Sequence, residues 1–214
     1  MRVCLVSDAR LPVRLYGGTE RIVQWLAAHL QRLGHSVVLV AQPGSALPGV
    51  QVIPATSAAE ALARIPPAVD IVHFHAWAPP DDLARPWVFT LHGNEPAGAR
   101  LPRCTVGISA DHARRHGLAH HVYNGVEPDE LRYQAAKQDH LLFFSKVRRR
   151  VKGAARAIRL ARNHGLRLEV AGGFRLDLLK TGGFLQSLHP FVRFHGEIGG
   201  ARKADCLARA RALF

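Results

Sequence analysis

Two glycines directly before a helical pattern are candidates for binding a phosphate group. Gly17 and Gly18 precede Thr19, where the helical pattern begins. The first turn of a helix has unpaired N–H groups, and glycine lets an anion approach the backbone closely. The pair lies outside any Gly-x-Gly-x-x-Gly fingerprint, and no acidic residue follows about 20 residues later to bind a ribose. A phosphate-binding turn and a tight turn without a ligand both remain open, with Thr19 as the expected N-cap.

Histidines at the ends of two predicted strands are candidates for contacting a sugar. His92 and Asn94 follow the run WVFTL, and His73 and His75 lie in DIVHFHAW. A histidine at the end of a strand can hydrogen-bond a hydroxyl group or transfer a proton, although a purely structural histidine is the alternative. His73 and His75 are spaced like metal ligands, but no third ligand is evident nearby, so no metal site is expected. We expect His75 to line the pocket and His73 to be packed inside.

A basic segment follows the predicted strand LLFFSKV (141–147). It contains Lys146, three arginines at 148–150 and Lys152. Arginine binds phosphate through forked hydrogen bonds and lysine through a point charge, so we expect Lys146 and Lys152 to hold a diphosphate. The arginines either join them or face solvent or lipid. Gly172 and Gly173 end the next predicted strand, RLEVAGG, and would let a ligand approach the backbone there.

Composition narrows the classes of partner. The 29 Lys and Arg against 16 Asp and Glu give a net charge of +13, which favours nucleic acid, anionic lipid or a diphosphate-bearing substrate, or reflects only a solvated basic surface. Nucleic-acid-binding motifs are absent, so nucleic acid is not expected. Cys4, Cys104 and Cys206 are odd in number and far apart, which favours a reducing cytoplasm over a disulfide framework. No run of about 18 apolar residues predicts a transmembrane helix.

Short apolar runs alternate with helical patterns along the chain, which predicts an α/β fold with parallel sheets covered on both faces. The predicted organisation is a Rossmann-like N-terminal domain at 1–126, a polar connector at 127–139 and an incomplete second Rossmann-like domain at 140–214. Within the first domain, CTVGIS (104–109) is a predicted strand, and HHVYNGV (120–126) is predicted to close the domain. Residues 201–211 are predicted to be helical, and the final ALF is predicted to begin a further strand.

The motifs together resemble one enzyme family, the retaining glycosyltransferases of the GT-B fold, specifically family 4. VFTLHGN is similar to the family's Thr-x-His segment, YNGVEP to the Asn-Gly-Val segment that ends its N-terminal domain, and FFSKVRRRVKG to the opening of its donor domain. The resemblance covers almost the whole chain. The remaining segments that carry it are GGTERIVQWLAAHLQRLGHSVVLVA, VGIS, AARAIRLA, LRLEVAGG, VRFHGEI and CLARARALF.

The resemblance implies a metal-independent transfer, with retention, from a nucleotide-diphosphate sugar of the UDP, GDP or ADP type. The nucleotide sugar is a substrate, and no cofactor is implied. His92 matches the pocket histidine that contacts the transferred sugar and is the candidate catalytic residue. The implied acceptor is a glycan or a lipid-linked molecule. Expected donor-binding residues are Gly17, Gly18, Lys146, Lys152, Gly172 and Gly173, and expected acceptor-side residues are Thr19, His75, Asn94 and Asn124.

Two departures from the family pattern concern the donor site. Lys146 stands where the family usually has arginine, and the loop to Lys152 is one residue longer. The family also has two glutamates, separated by seven residues, that hold the donor's ribose and sugar; they would follow Phe214. We therefore expect a truncated donor domain whose three-stranded sheet exposes an edge, and weak or no activity for residues 1–214.

Other function classes follow from the same features. A non-catalytic module that binds a glycan or an anionic membrane is the main alternative. A nicotinamide-dependent enzyme is disfavoured because the dinucleotide fingerprint and the ribose-binding acid are missing. A cytoplasmic location is expected, with peripheral membrane contact as the variant that the basic surface suggests.

Overall fold

Two parallel β-sheets with flanking helices make up the protein, in a computed structural model that describes residues 1–13, 15, 17–96 and 98–214. The first compact unit contains Met1–Val13 and Gly17–Val126, and the second contains Glu127–Phe214. No helix in these ranges is both long enough and apolar enough to cross a membrane. The α/β architecture with Rossmann-like parallel sheets is therefore confirmed for each unit.

The first unit has a six-stranded parallel sheet in the order β3-β2-β1-β4-β5-β6, the strand order of the Rossmann fold. The order reverses between β1 and β4, and open parallel sheets bind ligands at the carboxyl ends of strands beside such a reversal. The elements are β1 (Arg2–Val6), α1 (Thr19–Arg32), β2 (Ser36–Ala41), β3 (Gln51–Pro54), α2 (Ala58–Arg64), β4 (Ile71–Phe74), β5 (Trp87–Thr90), β6 (Thr105–Val106) and α3 (Ala110–Arg115).

Strand β1 contributes to cores on both faces of this sheet, because successive side chains of a strand point to opposite sides. Leu5 packs in one core with Val23 of α1, and Val6 packs in the other with Ala61 of α2. All four side chains are fully or almost fully buried. A continuous apolar run is needed for a strand covered on both faces, and the sequence VCLV provides it.

The second unit has a four-stranded parallel sheet in the order β10-β7-β8-β9. Its first strand in chain order, β7, pairs with the second, β8, on one side and with the fourth, β10, on the other. In the first unit β1 lies in the same way between β2 and β4. The elements are β7 (Gln138–Phe144), α4 (Ala154–Asn163), β8 (Leu168–Ala171), α5 (Leu178–Thr181), α6 (Phe184–Ser187), β9 (Val192–Gly196), α7 (Gly200–Arg209) and β10 (Ala210–Leu213).

The two faces of the second sheet pack against different helices. Phe143 and Val170 lie in a core with Ile158 of α4. Leu142 and Ala171 point to the opposite face and pack with Cys206 of α7. The sheet thus holds α4 and α7 on opposite sides.

Several boundaries differ from the sequence predictions. Strand β6 is only Thr105–Val106, shorter than the predicted 104–109. The segment 120–126 pairs with the sheet through a single bridge between Gly107 and His121. At this edge of the sheet Val122, Tyr123 and Val126 are 60–66% exposed, so burial does not hold the run in a strand. Strand β7 begins at Gln138, inside the predicted connector. Helix α7 ends at Arg209, and β10 follows as the fourth strand that was predicted from ALF, although it begins two residues earlier. Because β10 pairs with β7, the expected edge after three strands is covered.

Candidate functional site

A polar cleft of about 530 Å³ lies at the carboxyl ends of β1, β4 and β5 in the first unit. These strands are neighbours at the point where the strand order reverses, so the side chains that follow them meet at one edge of the sheet. The residues that carry polar or aromatic groups into the lining are Ser7, Asp8, Thr19, Glu20, His75, Trp77, Phe89, His92, Glu95 and Arg100. Of the predicted acceptor-side residues, Thr19 and His75 line this cleft together with the predicted catalytic residue His92.

His75 and His92 form a hydrogen-bonded pair in the cleft. The Nδ1 of His75 lies 2.9 Å from the Nε2 of His92. The Nε2 of His75 is buried and has no hydrogen-bond partner among the residues that the structure describes. Only one hydrogen can lie between two imidazole nitrogens, so one ring donates and the other accepts. The pair therefore couples the tautomer of His92 to the tautomer of His75.

The imidazole rings of His75 and His92 are neutral at physiological pH. Burial, and secondarily the charges of His73 and His92, lower the pKa of His75 to about 2. Burial and the neighbouring His112 lower the pKa of His92 to about 4. A neutral imidazole can exchange hydrogen bonds with a sugar hydroxyl, whereas an imidazolium would only donate. The electrostatics thus favour His92 as a hydrogen-bonding group for a neutral ligand.

His75 lines the cleft as expected although it is buried, whereas His73 is more exposed than expected. His75 is 6% exposed, whereas His73 is half-buried, with its Nε2 2.7 Å from the Oγ1 of Thr90. Both line a second, largely apolar cavity of about 380 Å³ between α1 and the sheet. His75 turns inward because it follows the last residue of β4 and packs against the ring of His73, with ring centroids 4.0 Å apart.

His112 anchors the loop that carries His92, a role that the sequence did not reveal. Its Nε2 donates a hydrogen bond to the Gly93 carbonyl at 2.8 Å, while its Nδ1 accepts one from the N–H of Ile108 at 3.3 Å. His112 is 4% exposed and lies in α3, whose N-cap Ser109 accepts from the backbone of His112. The sequence showed only a short helix rich in histidine and arginine.

Trp77 lies at the cleft in a left-handed backbone conformation, with φ 49°. Bulky residues rarely adopt this conformation, which costs about 1–2 kcal/mol, so the surrounding structure must hold it. Strained backbone of this kind concentrates at binding sites. The sequence contains no signal for it, because tryptophan usually marks regular structure.

Two predicted acceptor-side residues do not line the polar cleft. Asn94 is exposed between the lining residues Gly93 and Glu95. Asn124 lines the apolar cavity instead, beside Tyr123. The stretch around Asn124 is irregular, and a parallel strand there would have delivered its side chains to the carboxyl edge.

The glycines before α1 cap the helix in place of Thr19. Gly18 is the N-cap, and Thr19 is the first helical residue, so the predicted N-cap was wrong. A Cβ on Gly17 would lie 2.7 Å from Cγ1 of Val13 and 2.9 Å from Oε2 of Glu20, whereas one on Gly18 would meet no atom within 4 Å. Packing alone thus requires glycine at 17, and the open space at Gly18 leaves room for a ligand.

In the second unit the basic residues lie at the carboxyl end of β7 and lead into α4. Lys146 is half-buried shortly after the strand. Lys152 is exposed and ends a short 3-10 turn, Arg150–Lys152. Gly153, in the left-handed conformation with φ 79°, is the N-cap of α4, which receives no side-chain cap. The predicted basic turn therefore stands next to the N-terminus of a ten-residue helix, where anions are stabilised.

Gly172 and Gly173 pack against the chain that follows β7. A Cβ on Gly172 would lie 2.3 Å from the carbonyl oxygen of Ser145, and one on Gly173 would lie 2.8 Å from Cβ of Val147. The Gly172 carbonyl accepts a hydrogen bond from the N–H of Val147 at 3.0 Å. Close approach to the backbone of Ser145 is therefore sufficient to require glycine at 172, and close approach to the Val147 side chain favours glycine at 173.

Metal-ligating side chains meet inside the second unit, at a place that the sequence analysis did not identify. Glu169, His195 and Cys206 have ligand atoms that all lie within 4.8 Å of one another. The residues are 26 and 11 positions apart, so spacing along the chain gives no motif.

Comparison with known proteins identifies the architecture. No family model matches the chain, and no curated protein matches it in sequence. Among solved structures, AviGT4, a glycosyltransferase involved in avilamycin A biosynthesis, is similar with a TM-score of 0.75 and 28% identity, over 99% of this chain and 69% of that chain.

Two other solved structures share the fold at lower identity. An α-glucosyltransferase in complex with UDP and a 13-mer DNA has a TM-score of 0.63 and 12% identity, over 100% of this chain and 71% of that chain. The catalytic domain of starch synthase IV from Arabidopsis thaliana, bound to ADP and acarbose, has a TM-score of 0.63 and 13% identity, over 99% and 77%. The strand orders of both units and these similarities show that the chain has the GT-B fold of glycosyltransferases.

Proposed function

We propose that the chain functions in retaining, metal-independent glycosyl transfer of the family 4 type, from a nucleotide-diphosphate sugar to an acceptor. The observation that carries the proposal is the similarity to AviGT4, because 28% identity over 99% of the chain extends through both units. Two further neighbours are complexes with UDP or ADP, which supports a nucleotide donor. The acceptor in this proposal is a cell-envelope glycan or a lipid-linked molecule.

The donor diphosphate in this proposal binds at the basic turn of the second unit. Lys152 is exposed next to the uncapped N-terminus of α4, where both the ammonium group and the helix dipole favour a negative charge. Lys146 lies on the other side of the turn and supplies a second point charge. Neutralising the leaving diphosphate lowers the barrier to departure, which is the electrostatic role that often dominates catalysis. Gly172 and Gly173 shape the floor of the turn through their contacts with 145–147.

The polar cleft of the first unit receives the sugar and the acceptor in this proposal. His92, neutral and hydrogen-bonded to His75, contacts a hydroxyl of the transferred sugar. Gly18 leaves space for a ligand at the start of α1, and Gly17 fixes the turn that precedes it. Thr19 lines the cleft, while Asn94 and Asn124 lie outside it and would need a larger acceptor to reach them.

Nucleotide binding tests the proposal directly. Titration calorimetry with UDP, GDP and ADP is expected to show binding of one of them. Lys152→Ala is expected to weaken that binding at least about 10-fold, since a charge-assisted bond to phosphate contributes about 1.5–3 kcal/mol. Arg162→Ala is the matched control, because Arg162 is exposed in the last turn of the same helix. Absence of binding by all three nucleotides, or equal weakening by both substitutions, would refute the proposed donor site.

A second candidate function, binding to an anionic membrane, is favoured by the surface around the same turn. Val151 is 84% exposed among exposed arginines, and Phe174, Leu176 and Leu179 are 62–67% exposed. Basic side chains beside protruding apolar ones are typical of peripheral contact with anionic lipid. Sedimentation with phosphatidylglycerol vesicles, lost at high salt and absent with phosphatidylcholine alone, would support it. In this proposal the protein is cytoplasmic and peripheral to the membrane.

A further inference from the structure

A compact group of metal-ligating side chains lies between the second sheet and α7. Glu169 is in β8, His195 is in β9 and Cys206 is in α7. The Nε2 of His195 is 2.9 Å from Oε2 of Glu169, and the ligand atoms of all three residues lie within 4.8 Å of one another. Carboxylate, imidazole and thiolate are the three groups that bind zinc in proteins.

The register of the sheet explains why these residues meet. Glu169 pairs with Leu142 of β7 and Arg193 of β9, and paired residues of parallel strands point to the same face. Leu142 packs with Cys206, so this is the face that α7 covers. His195 follows Arg193 by two positions and shares that face. The helix thus closes over a pair of polar side chains and adds a thiol to them.

A fourth group points to a missing ligand. The side chain of His140, in β7, is 8% exposed, and its Nε2 is buried with no hydrogen-bond partner among the described residues. That nitrogen is 3.6 Å from Oε2 of Glu169, which is beyond hydrogen-bond distance. An unpaired buried nitrogen costs about 1–3 kcal/mol, so its position beside the carboxylate calls for a partner.

We propose that Glu169, His195 and Cys206, with His140 as the fourth ligand, bind a structural zinc ion. Neighbouring ligand atoms of a tetrahedral zinc site are about 3.3–3.8 Å apart, given bonds of about 2.0–2.3 Å. The separation of 3.6 Å between His140 and Glu169 lies in that range, and that of 2.9 Å between His195 and Glu169 lies below it. The ligand atoms of Glu169, His195 and Cys206 are within 4.8 Å of one another, so zinc binding would draw the sulfur and the nitrogens around the metal.

The charge balance of the site suits burial. One carboxylate and one thiolate neutralise a divalent cation, whereas an isolated buried anion is unfavourable. Zinc displaces the thiol proton on binding, so the sulfur binds as a thiolate.

A metal-free alternative explains only part of the cluster. A hydrogen bond between Glu169 and His195 satisfies those two side chains. It leaves the Nε2 of His140 without a hydrogen-bond partner among the described residues. A zinc ion accounts for all four side chains, and it joins β7, β8, β9 and α7 at one point.

Zinc content and cobalt spectra test the proposal on the whole chain. The purified protein, incubated with zinc and then desalted, is expected to retain about one equivalent by mass spectrometry of the metal. Replacement by Co²⁺ is expected to give tetrahedral visible bands and a sulfur-to-cobalt charge-transfer band. Less than about 0.1 equivalent of zinc together with no thiolate band would overturn the proposal without reference to any variant.

Matched cysteine variants identify the ligand. Cys206→Ser is expected to abolish the charge-transfer band and lower zinc retention at least 10-fold, and His140→Ala is expected to weaken retention. Cys104→Ser is the control, because Cys104 is exposed in the first unit, and it is expected to retain the metal and the spectrum. If Cys206→Ser keeps the band or Cys104→Ser loses it, the assignment is wrong. Circular dichroism of each variant shows whether the second unit is folded, and the wild-type spectrum decides the question if Cys206→Ser is unfolded.

Discussion

Replacing Gly172 by alanine tests whether packing of the backbone requires this glycine. The new Cβ would lie 2.3 Å from the carbonyl oxygen and 2.7 Å from the carbonyl carbon of Ser145, and φ at this position is 107°. The left-handed conformation alone costs about 1–2 kcal/mol for a residue with a Cβ. The clash must also displace 145–147, which weakens hydrogen bonds from Ser145 to Ala171 and from Val147 to Gly172, each worth about 1 kcal/mol.

The expected loss is roughly 4 kcal/mol of the free energy of unfolding of the second unit, a large part of the usual stability of a domain. Gly165→Ala provides the control, because Gly165 has φ 63° but a Cβ added there would meet no atom within 4 Å. The control is expected to lose only about 1–2 kcal/mol.

Urea denaturation followed by two signals separates the units. Trp25, Trp77 and Trp87 all lie in the first unit, so tryptophan fluorescence reports its unfolding, whereas far-ultraviolet circular dichroism reports both units. Gly172→Ala is expected to move the circular dichroism transition to lower urea and leave the fluorescence midpoint in place. Losses within about 1 kcal/mol of each other for Gly172→Ala and Gly165→Ala would refute the packing argument.

Three further outcomes are expected in the first unit. Burial lowers the pKa of His73 from 6.5 to about 4. The folded first unit is therefore expected to keep its full stability above pH 6.5 and to lose up to about 1.4 kcal/mol of the free energy of unfolding per pH unit as the pH falls towards 4. An unchanged urea midpoint by fluorescence between pH 7 and 4.5 would contradict this expectation. Ser57→Ala removes the N-cap of α2, whose Oγ accepts from the N–H of Glu60 at 3.2 Å, and should cost about 1 kcal/mol in urea denaturation, against no change for an exposed serine outside a cap. Phe74→Ala empties a fully buried position and should cost about 3–5 kcal/mol by the same measurement; a loss below about 1 kcal/mol would show that the core is not packed around it.

The regular part of the fold could be predicted from local pattern. Buried runs such as VCLV and LLFF are continuous because both faces of each sheet are covered, and helical spacing between them indicates the crossovers. The limits of the strands were less predictable where few neighbours hold them. β6 is an edge strand of two residues, and the run at 120–126 is too exposed to pair beyond one bridge.

The candidate sites depended on tertiary contacts to different degrees. His75 and His92 were expected at the same edge because both follow strands, and β4 and β5 are indeed neighbours. Their direct hydrogen bond could not be predicted, since it depends on how each chain turns after its strand. The group at Glu169, His195 and Cys206 is even less visible, because it needs the register of two strands and the placement of α7.

The hydrogen bond between His75 and His92 couples the two ring nitrogens that do not take part in it, Nε2 of His75 and Nδ1 of His92. If His75 Nδ1 carries the shared hydrogen, the neutral His92 must be protonated on Nδ1, and His75 Nε2 is an acceptor; if His92 Nε2 carries it, both outer nitrogens exchange these roles. A molecule that donates to or accepts from His75 Nε2 would therefore select the tautomer of His92. A contact at Nε2 of His75 thus determines whether Nδ1 of His92 donates or accepts a hydrogen bond, without any movement of the backbone.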